Sequence, residues 1–219
     1  MAKLEWDKTG ERLFETGIEQ AALYLLSEAG EYDKGEAWNG LISVTESPSG
    51  AEPTALWAND SKYAELLSTE ELGGSIEAYT YPKSFAACNG EATLAKGVTI
   101  GQQNRRTFGL VFKTLIGNDI LGNGYGYKIT LIYGAKASPS EKSHKTVNDS
   151  PAAMTMSWDF STTPVNATGF KPSSRIEIDS TQVDADKLAA LEAILYGSAE
   201  SEARLPFPDE VAQIMGEAA

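Results

Sequence analysis

The chain is poor in the residues that most catalytic and metal sites need. Its 219 residues include one cysteine, Cys88, and one histidine, His144. A single cysteine excludes an intramolecular disulfide, and the two residues are too few for a Cys/His zinc site. No G-x-S-x-G nucleophile elbow occurs, and no spacing of carboxylates singles out a general acid and base. We therefore expect no enzyme activity, no cofactor and no metal site, and we expect Cys88 to pack as a small apolar residue.

Long apolar segments are also missing. The longest apolar run, Ala21 to Leu26, is far too short to cross a bilayer. The first residues, MAKLEWDKTGERLFE, lack the apolar core of a signal peptide. These absences favour a protein that is made and kept in a cytosol-like compartment and has no membrane partner.

Positive charge is scarce in one stretch of the chain. Residues 35–82 hold eight carboxylates and a single base, Lys62, and the whole chain has a formal net charge of −13, so it is a poor nucleic-acid binder. An acidic strand surface repels polyanions, which suits a wall that DNA slides past without adhering. The carboxylates proposed for such a wall are Glu36, Glu46, Glu52, Asp60 and Glu77. The alternative is that they lie on an outer surface and only keep the protein soluble.

The bases are concentrated elsewhere. Residues 83–150 hold nine bases and four acids, in contrast to the acidic stretch before them. Such a division could let copies of the protein attract each other head to tail. The alternative is that the charge blocks interleave in the fold and cancel.

Strand patterns dominate the chain. Apolar and polar residues alternate in Met154–Phe160, Tyr127–Tyr133, Phe108–Phe112 and Ile176–Ile178, and Ser75–Tyr81 is a further short strand. These patterns predict a mainly β fold with many turns, formed by one large domain.

Two long polar loops are predicted to contact neighbouring subunits. The first joins the predicted strands Leu41–Ser47 and Thr54–Asn59, is too long for a tight hairpin turn and contains Ser49 and Gly50. The second is the breaker-rich segment Ser138–Pro151. The residues of the second loop proposed for this contact are Glu141, Lys142, His144 and Lys145. Loops of this length in compact domains are often functional.

One helix is clear near the end of the chain. Asp184 is a suitable N-cap for residues 185–196, and Gly197 stands where a glycine ends many helices. We therefore predict a β domain over residues 1–197 with one packed helix at about 184–196. Residues 198–219 are predicted to form an acidic tail that docks on a neighbouring subunit.

Several segments in order resemble the major tail protein, or tail tube protein, of long-tailed phages of Gram-positive bacteria. The resemblance covers most of residues 3–197 and is a spread pattern, not a short signature. It lies in KLEWDKTGERLFETGI, AWNGLISVTESPSGAEPTALWANDSKYAELLS, GGSIEAYTYPKSFAACNG, GQQNRRTFGLVFKTLIGND, YGYKITLIYGAKASPSEKSHKTVNDSP, MTMSWDFSTTPV and DADKLAALEAILYG.

The resemblance implies a tail-tube β-sandwich subunit that forms hexameric rings, which stack into a hollow tube. Each subunit would lend about four strands to an inter-subunit β-barrel, so roughly 24 strands give a backbone diameter of about 48 Å. The opening would be wider than a B-form duplex. The implied partners are other copies of the chain, a tape measure protein, head-tail connector and tail-tip proteins, and double-stranded DNA that passes without specific binding. The implied location is the virion tail, assembled in the host cytoplasm.

Two alternative functions remain open at this point. The first is the tube of a phage-tail-like bacteriocin, which has the same construction. The second is a carbohydrate-binding β-sandwich module that stacks Trp38 or Trp57 on sugars, although the missing secretion signal disfavours it.

Overall fold

The computed structural model describes residues 3–146 and 153–216. The protein is mainly β, as the strand patterns predicted. The strands are β1 Leu13–Leu26, β2 Tyr32–Ala37, β3 Leu41–Ser49, β4 Pro53–Ala58, β5 Ser61–Leu67, β6 Glu71–Ala78, β7 Ala92–Ala95, β8 Val98–Ile100, β9 Phe108–Asn118, β10 Gly122–Ala137, β11 Met156–Thr162 and β12 Arg175–Asp179. The helices are α1 Phe85–Cys88, α2 Ala185–Tyr196 and α3 Pro208–Met215.

The main sheet has the strand order β2-β1-β9-β10-β11-β6-β3, with β12 also paired to β10. It changes direction within β10, which pairs with β9 along most of its length and with β11 only through Ala135–Ala137. The bend lies at Gly134, where φ is +63° and a Cβ would come within 2.1 Å of the Thr163 carbonyl oxygen. Only glycine fits there, because positive φ and this close approach both exclude a side chain.

The bend produces two sheet layers with a core between them. One layer is β1, β9 and β10, and the other is β3, β6 and β11. Buried residues from both layers form this core, including Leu23, Phe108 and Leu110 on the first and Ile76 and Trp158 on the second. Helix α1 adds Phe85 and Cys88 to the same core.

The first layer also buries its opposite face, against α2 and α3. Val111, Leu131 and Tyr133 face Leu191 and Leu195 of α2 in a second core. Because successive strand residues point to opposite faces, β9 and β10 need apolar residues at nearly every position in their central parts.

The predicted helix at 184–196 is confirmed as α2. The Asp184 carboxylate accepts hydrogen bonds from the backbone N–H groups of Asp186 and Lys187, which caps the first turn. Gly197 follows with φ of +81°, a conformation that glycine adopts without a steric penalty.

The segment after residue 197 differs from its prediction. Residues 203–215 pack on their own chain, so a separate tail that docks on a neighbour is wrong for this part. Leu205 forms a β-bridge with Tyr32 and is 2% exposed, and α3 places Val211, 4% exposed, in the second core. The acidic composition hid these apolar positions, whose packing partners lie far away in the sequence.

The first predicted loop is also different. β3 pairs with β6 up to Ser49 opposite Glu71, and β4 pairs with β5 beyond them, so the strands belong to one long hairpin. We call residues 50–70 the arm. Its base is a short break after β3, where Gly50 has φ of +83° and a Cβ would lie 2.3 Å from the Thr69 carbonyl oxygen. The predicted projecting loop is therefore a projecting strand pair.

Candidate assembly surfaces

The outer side of the β3–β6–β11 layer is covered by small polar side chains. We call this surface the polar face. Cross-strand partners set its membership, because directly opposed residues point to the same side of a sheet. Its residues are Ser43, Thr45 and Ser47 on β3, Gly73, Ser75 and Glu77 on β6, and Ser157, Asp159 and Ser161 on β11. Lys136 of β10 stands opposite Ser161 at its margin.

Glu77 is the only one of the five predicted wall carboxylates that lies on the polar face. Glu36, on β2, accepts hydrogen bonds from the backbone N–H and the hydroxyl of Ser84, before α1. Glu52 and Asp60 are exposed at the base and the tip of the arm. The structure thus does not bring the five predicted carboxylates to one surface.

Glu46 points to the opposite side of its sheet from Glu77. It stands across from Gly74, one position beyond the Thr45–Ser75 pair of the polar face, so it shares the inward side with Phe160. Its carboxylate lies 2.5 Å from Nε of Arg175 on β12. The expectation that Glu46 and Glu77 project in the same direction is therefore wrong, because the strand register separates them.

Asp159 is a carboxylate of the polar face that the sequence pattern did not single out. It is exposed and stands opposite Ser75, two positions from the pair formed by Ser157 and Glu77. Its alternation with Trp158 and Phe160 was visible in the sequence. That alternation placed it on a polar side without showing that Glu77 is on the same side.

The two edge strands of the main sheet, β2 and β3, differ in whether other parts of the chain cover them. The outer side of β2 is covered by the chain itself, since Gly35 N–H donates to the Ala203 carbonyl and Leu205 N–H donates to the Tyr32 carbonyl. β3 has no strand on its outer side among the described residues. An uncovered edge strand of nine residues is a template for pairing with another chain.

The arm exposes large apolar side chains on an isolated strand pair. Trp57 is 69% exposed, Tyr63 77% and Leu67 70%, and Leu56 and Leu66 are exposed as well. The tip is a tight turn at Asn59 and Asp60, which both have positive φ, as a two-residue type I′ turn requires. The arm residues are absent from both cores of the described chain.

A second hairpin with exposed apolar residues was not predicted. It consists of β7 and β8, and its exposed side chains include Leu94, Val98 and Ile100. Its base is fixed by Arg105, whose guanidinium donates to the carbonyl oxygens of Ala137 and Ser138 at 3.2 and 3.1 Å. The hairpin was missed because its strands are short and do not alternate clearly.

The second predicted loop begins beside that hairpin. Residues 138–146 have no regular secondary structure, whereas positions 147–151 lie outside the described residues. Glu141, Lys142, His144 and Lys145 are all exposed. Ser140, Glu141 and Lys142 line a small cavity together with Tyr81 and Trp158. Ser49 and Gly50, the residues named for the first loop, lie at the far end of β3 instead.

The most buried cation of the described chain is structural. Lys113 Nζ, on β9, lies 2.6 Å from the Glu192 carboxylate on α2 and 4.4 Å from the ring centroid of Tyr127. Burial, together with a hydrogen bond to Glu192, raises the pKa of Tyr127 to about 12, so this phenol stays protonated. The cluster connects α2 to the sheet.

The structure gives little support to a cysteine nucleophile or to a sugar-binding Trp38. Cys88 is buried in the core between the two layers, which confirms its packing role, and this burial raises the pKa of its thiol to about 12, so it is a poor nucleophile. Trp38 is 3% exposed and donates its indole N–H to the Thr80 carbonyl, so it offers no surface for a sugar. The described residues contain no group of three potential metal ligands and no helix of the length and hydropathy that a bilayer crossing needs.

The fold and surfaces define a mainly β protein with one polar sheet face, one uncovered sheet edge and two apolar hairpins. No protein-family model matches the chain, and no curated protein matches it.

Proposed function

We propose that the protein is a structural subunit of a phage tail tube, in which hexameric rings stack into a hollow conduit for DNA. The observation that carries the proposal is the polar face, which borders the uncovered edge of β3. A solvent-facing sheet with only small polar and charged side chains, over a full apolar core, suits the inner wall of a water-filled barrel. The family resemblance of the sequence supports the same assignment.

The proposed wall uses four strands of each copy. They are β3, β6, β11 and the last part of β10, which together match the about four strands per copy that the family resemblance implies. Pairing of the β3 edge with the next copy would close the barrel and remove the uncovered edge. No catalytic group is needed, because a conduit works through its shape and its surface charge.

The charge of the wall is suited to passing DNA. Each copy presents Glu77 and Asp159 against one marginal base, Lys136. Phosphates bound by many lysines or arginines would release counterions and hold the duplex tightly. A wall with net negative charge and small hydroxyl side chains avoids such adhesion.

The proposal also assigns partners and a location. Its copies assemble in the host cytoplasm around a tape measure protein, and the tube ends contact connector and tail-tip proteins in the virion. A phage-tail-like bacteriocin would use the same subunit geometry.

Electron microscopy of the concentrated purified protein tests this proposal. We expect rings or tubes with a central channel, in the protein alone or with its tail partners. A strictly monomeric protein under all salt conditions and with those partners would count heavily against it. A monomer that binds glycans through the exposed Trp57 would instead support the carbohydrate-binding module.

DNA ejection tests the assignment of the wall. Tails that carry Glu77→Lys and Asp159→Lys should assemble but eject DNA more slowly, most clearly at low salt, where screening is weakest. The matched control is Asp186→Lys, which changes an exposed carboxylate on α2, away from the polar face. If all tails ejected DNA at equal rates at low and high salt, the assignment of the polar face to the lumen would be wrong.

A further inference from the structure

The arm has surface properties that are unusual for a strand pair with no covering layer. An isolated two-stranded hairpin is marginally stable in water, and clustered exposed aromatic and aliphatic side chains mark an interaction site. Trp57 and Tyr63 are both more than two-thirds exposed. The arm is also acidic, with Glu52, Asp60, Glu65 and Glu70 against Lys62.

The β7–β8 hairpin also exposes apolar side chains, but its charge is positive where that of the arm is negative. It combines the exposed Leu94, Val98 and Ile100 with Lys96 at its turn, and residues 92–100 contain no acid. Exposed bases stand in the segments around it, namely Lys83, Arg106, Lys142 and Lys145, with Glu141 as the exposed acid among them. Arg105 fixes the base of this hairpin, which lowers the entropy lost on docking.

The two hairpins lie at opposite ends of the same strand. The arm joins β6 at Glu71, where β6 begins. The chain reaches α1 and then β7 only after β6 ends at Ala78, and β6 at ~3.3 Å per residue spans roughly 25 Å. The arm and the β7–β8 hairpin therefore follow from opposite ends of β6 in one copy, and a second copy can bring them together.

We propose that the arm of one copy docks on the β7–β8 hairpin and its neighbouring bases on another copy, which joins copies head to tail. This inference rests on the proposed function, since the occupant is a second copy of the chain. Contact between two arms would bring acids against acids, whereas contact between the arm and the β7–β8 hairpin pairs opposite charges around an apolar centre. A contact between two different surfaces repeats and builds rings or filaments.

Cross-linking between variants that each gain one exposed cysteine tests the contact. Ala58→Cys places a thiol on the arm, and Thr99→Cys places one on β8, both at exposed positions. The native Cys88 stays buried and unreactive. The two variants are mixed, assembled and treated with a flexible bis-maleimide, and covalent dimers are measured on a denaturing gel. The matched control replaces Thr99→Cys with Ala190→Cys, at an exposed position on α2.

We expect severalfold more dimer from the Ala58→Cys and Thr99→Cys mixture than from either variant alone or from the control mixture. Equal dimer from Ala58→Cys alone would overturn the inference in favour of an arm-to-arm contact. Rings or tubes that form without this cross-link would overturn the docking and leave the proposed function standing. A protein that stays monomeric throughout would overturn both.

Discussion

At the residue scale, the ion pair between Lys113 and Glu192 is the clearest target for a stability test. Glu192→Gln removes the charge that compensates a nearly buried ammonium, and losing one partner of a buried pair costs about 3 kcal/mol. The free energy of unfolding, measured in urea, should fall by about that amount. The control is Glu210→Gln, which breaks the more exposed pair with Arg204 and should cost less than about 1 kcal/mol. Equal losses in both variants would contradict a structural role for Lys113.

Glu46 and Glu77 offer a second residue-scale comparison, because they belong to neighbouring strands but point to opposite sides. Glu46→Lys would set two cations against each other at Arg175, so it should lower the free energy of unfolding by about 1–2 kcal/mol. Glu77→Lys changes a group on the polar face and should stay within about 0.5 kcal/mol. Thermal unfolding of both variants measures the difference. A larger loss for Glu77→Lys would mean that the strand register of β3 and β6 is wrong.

At the element scale, the arm should be removable without unfolding the protein. Replacing residues 51–69 by Asn-Gly joins β3 directly to β6 through a turn suited to a tight hairpin. Because no arm residue belongs to either core, circular dichroism and the midpoint of thermal unfolding should change little. Assembly into tubes should be lost, as electron microscopy would show.

A shortened β7–β8 hairpin provides the matching experiment. Replacing residues 93–99 by Asn-Gly should also spare the fold and prevent assembly, since both hairpins belong to one proposed contact. Tubes that form normally without the arm would exclude it from the interface. Loss of the folded state in the arm variant would show that the arm stabilises its own chain.

The elements that were predictable from the sequence are those with local signals. α2 has a capping aspartate and a glycine stop, and β11 alternates strictly, so both were correct. Of the arm strands, β4 was predicted as Thr54–Asn59, whereas β5 was not, because the adjacent Leu66 and Leu67 break the period of two that identifies a half-buried strand. Leu205 depends on its bridge to Tyr32, far away in the chain, and no local pattern reports such a contact.

The candidate surfaces were less predictable than the fold because they depend on the pairing between strands, which the sequence of one strand does not show. Alternation shows which residues of one strand share a side, but the register between strands decides which sides coincide. Glu77 and Asp159 meet on the polar face because of pairing between β6 and β11, whereas Glu46 is turned inward by its pairing with β6. A stretch of acidic sequence therefore predicted the charge of the region and not the surface that carries it.

At the scale of the whole molecule, hydrogen exchange should separate covered from uncovered edges when copies assemble. Backbone amides of β3, of the arm, of β7–β8 and of residues 138–146 should exchange much more slowly in tubes than in the free protein, because assembly covers them. Residues 203–205 and their partners on β2 are already covered within one copy, so their exchange should stay the same. Mass spectrometry of peptides from free and assembled protein measures both sets. Uniform slowing across the chain would indicate general stabilisation, and unchanged exchange in β3 would remove its edge from the interface between copies.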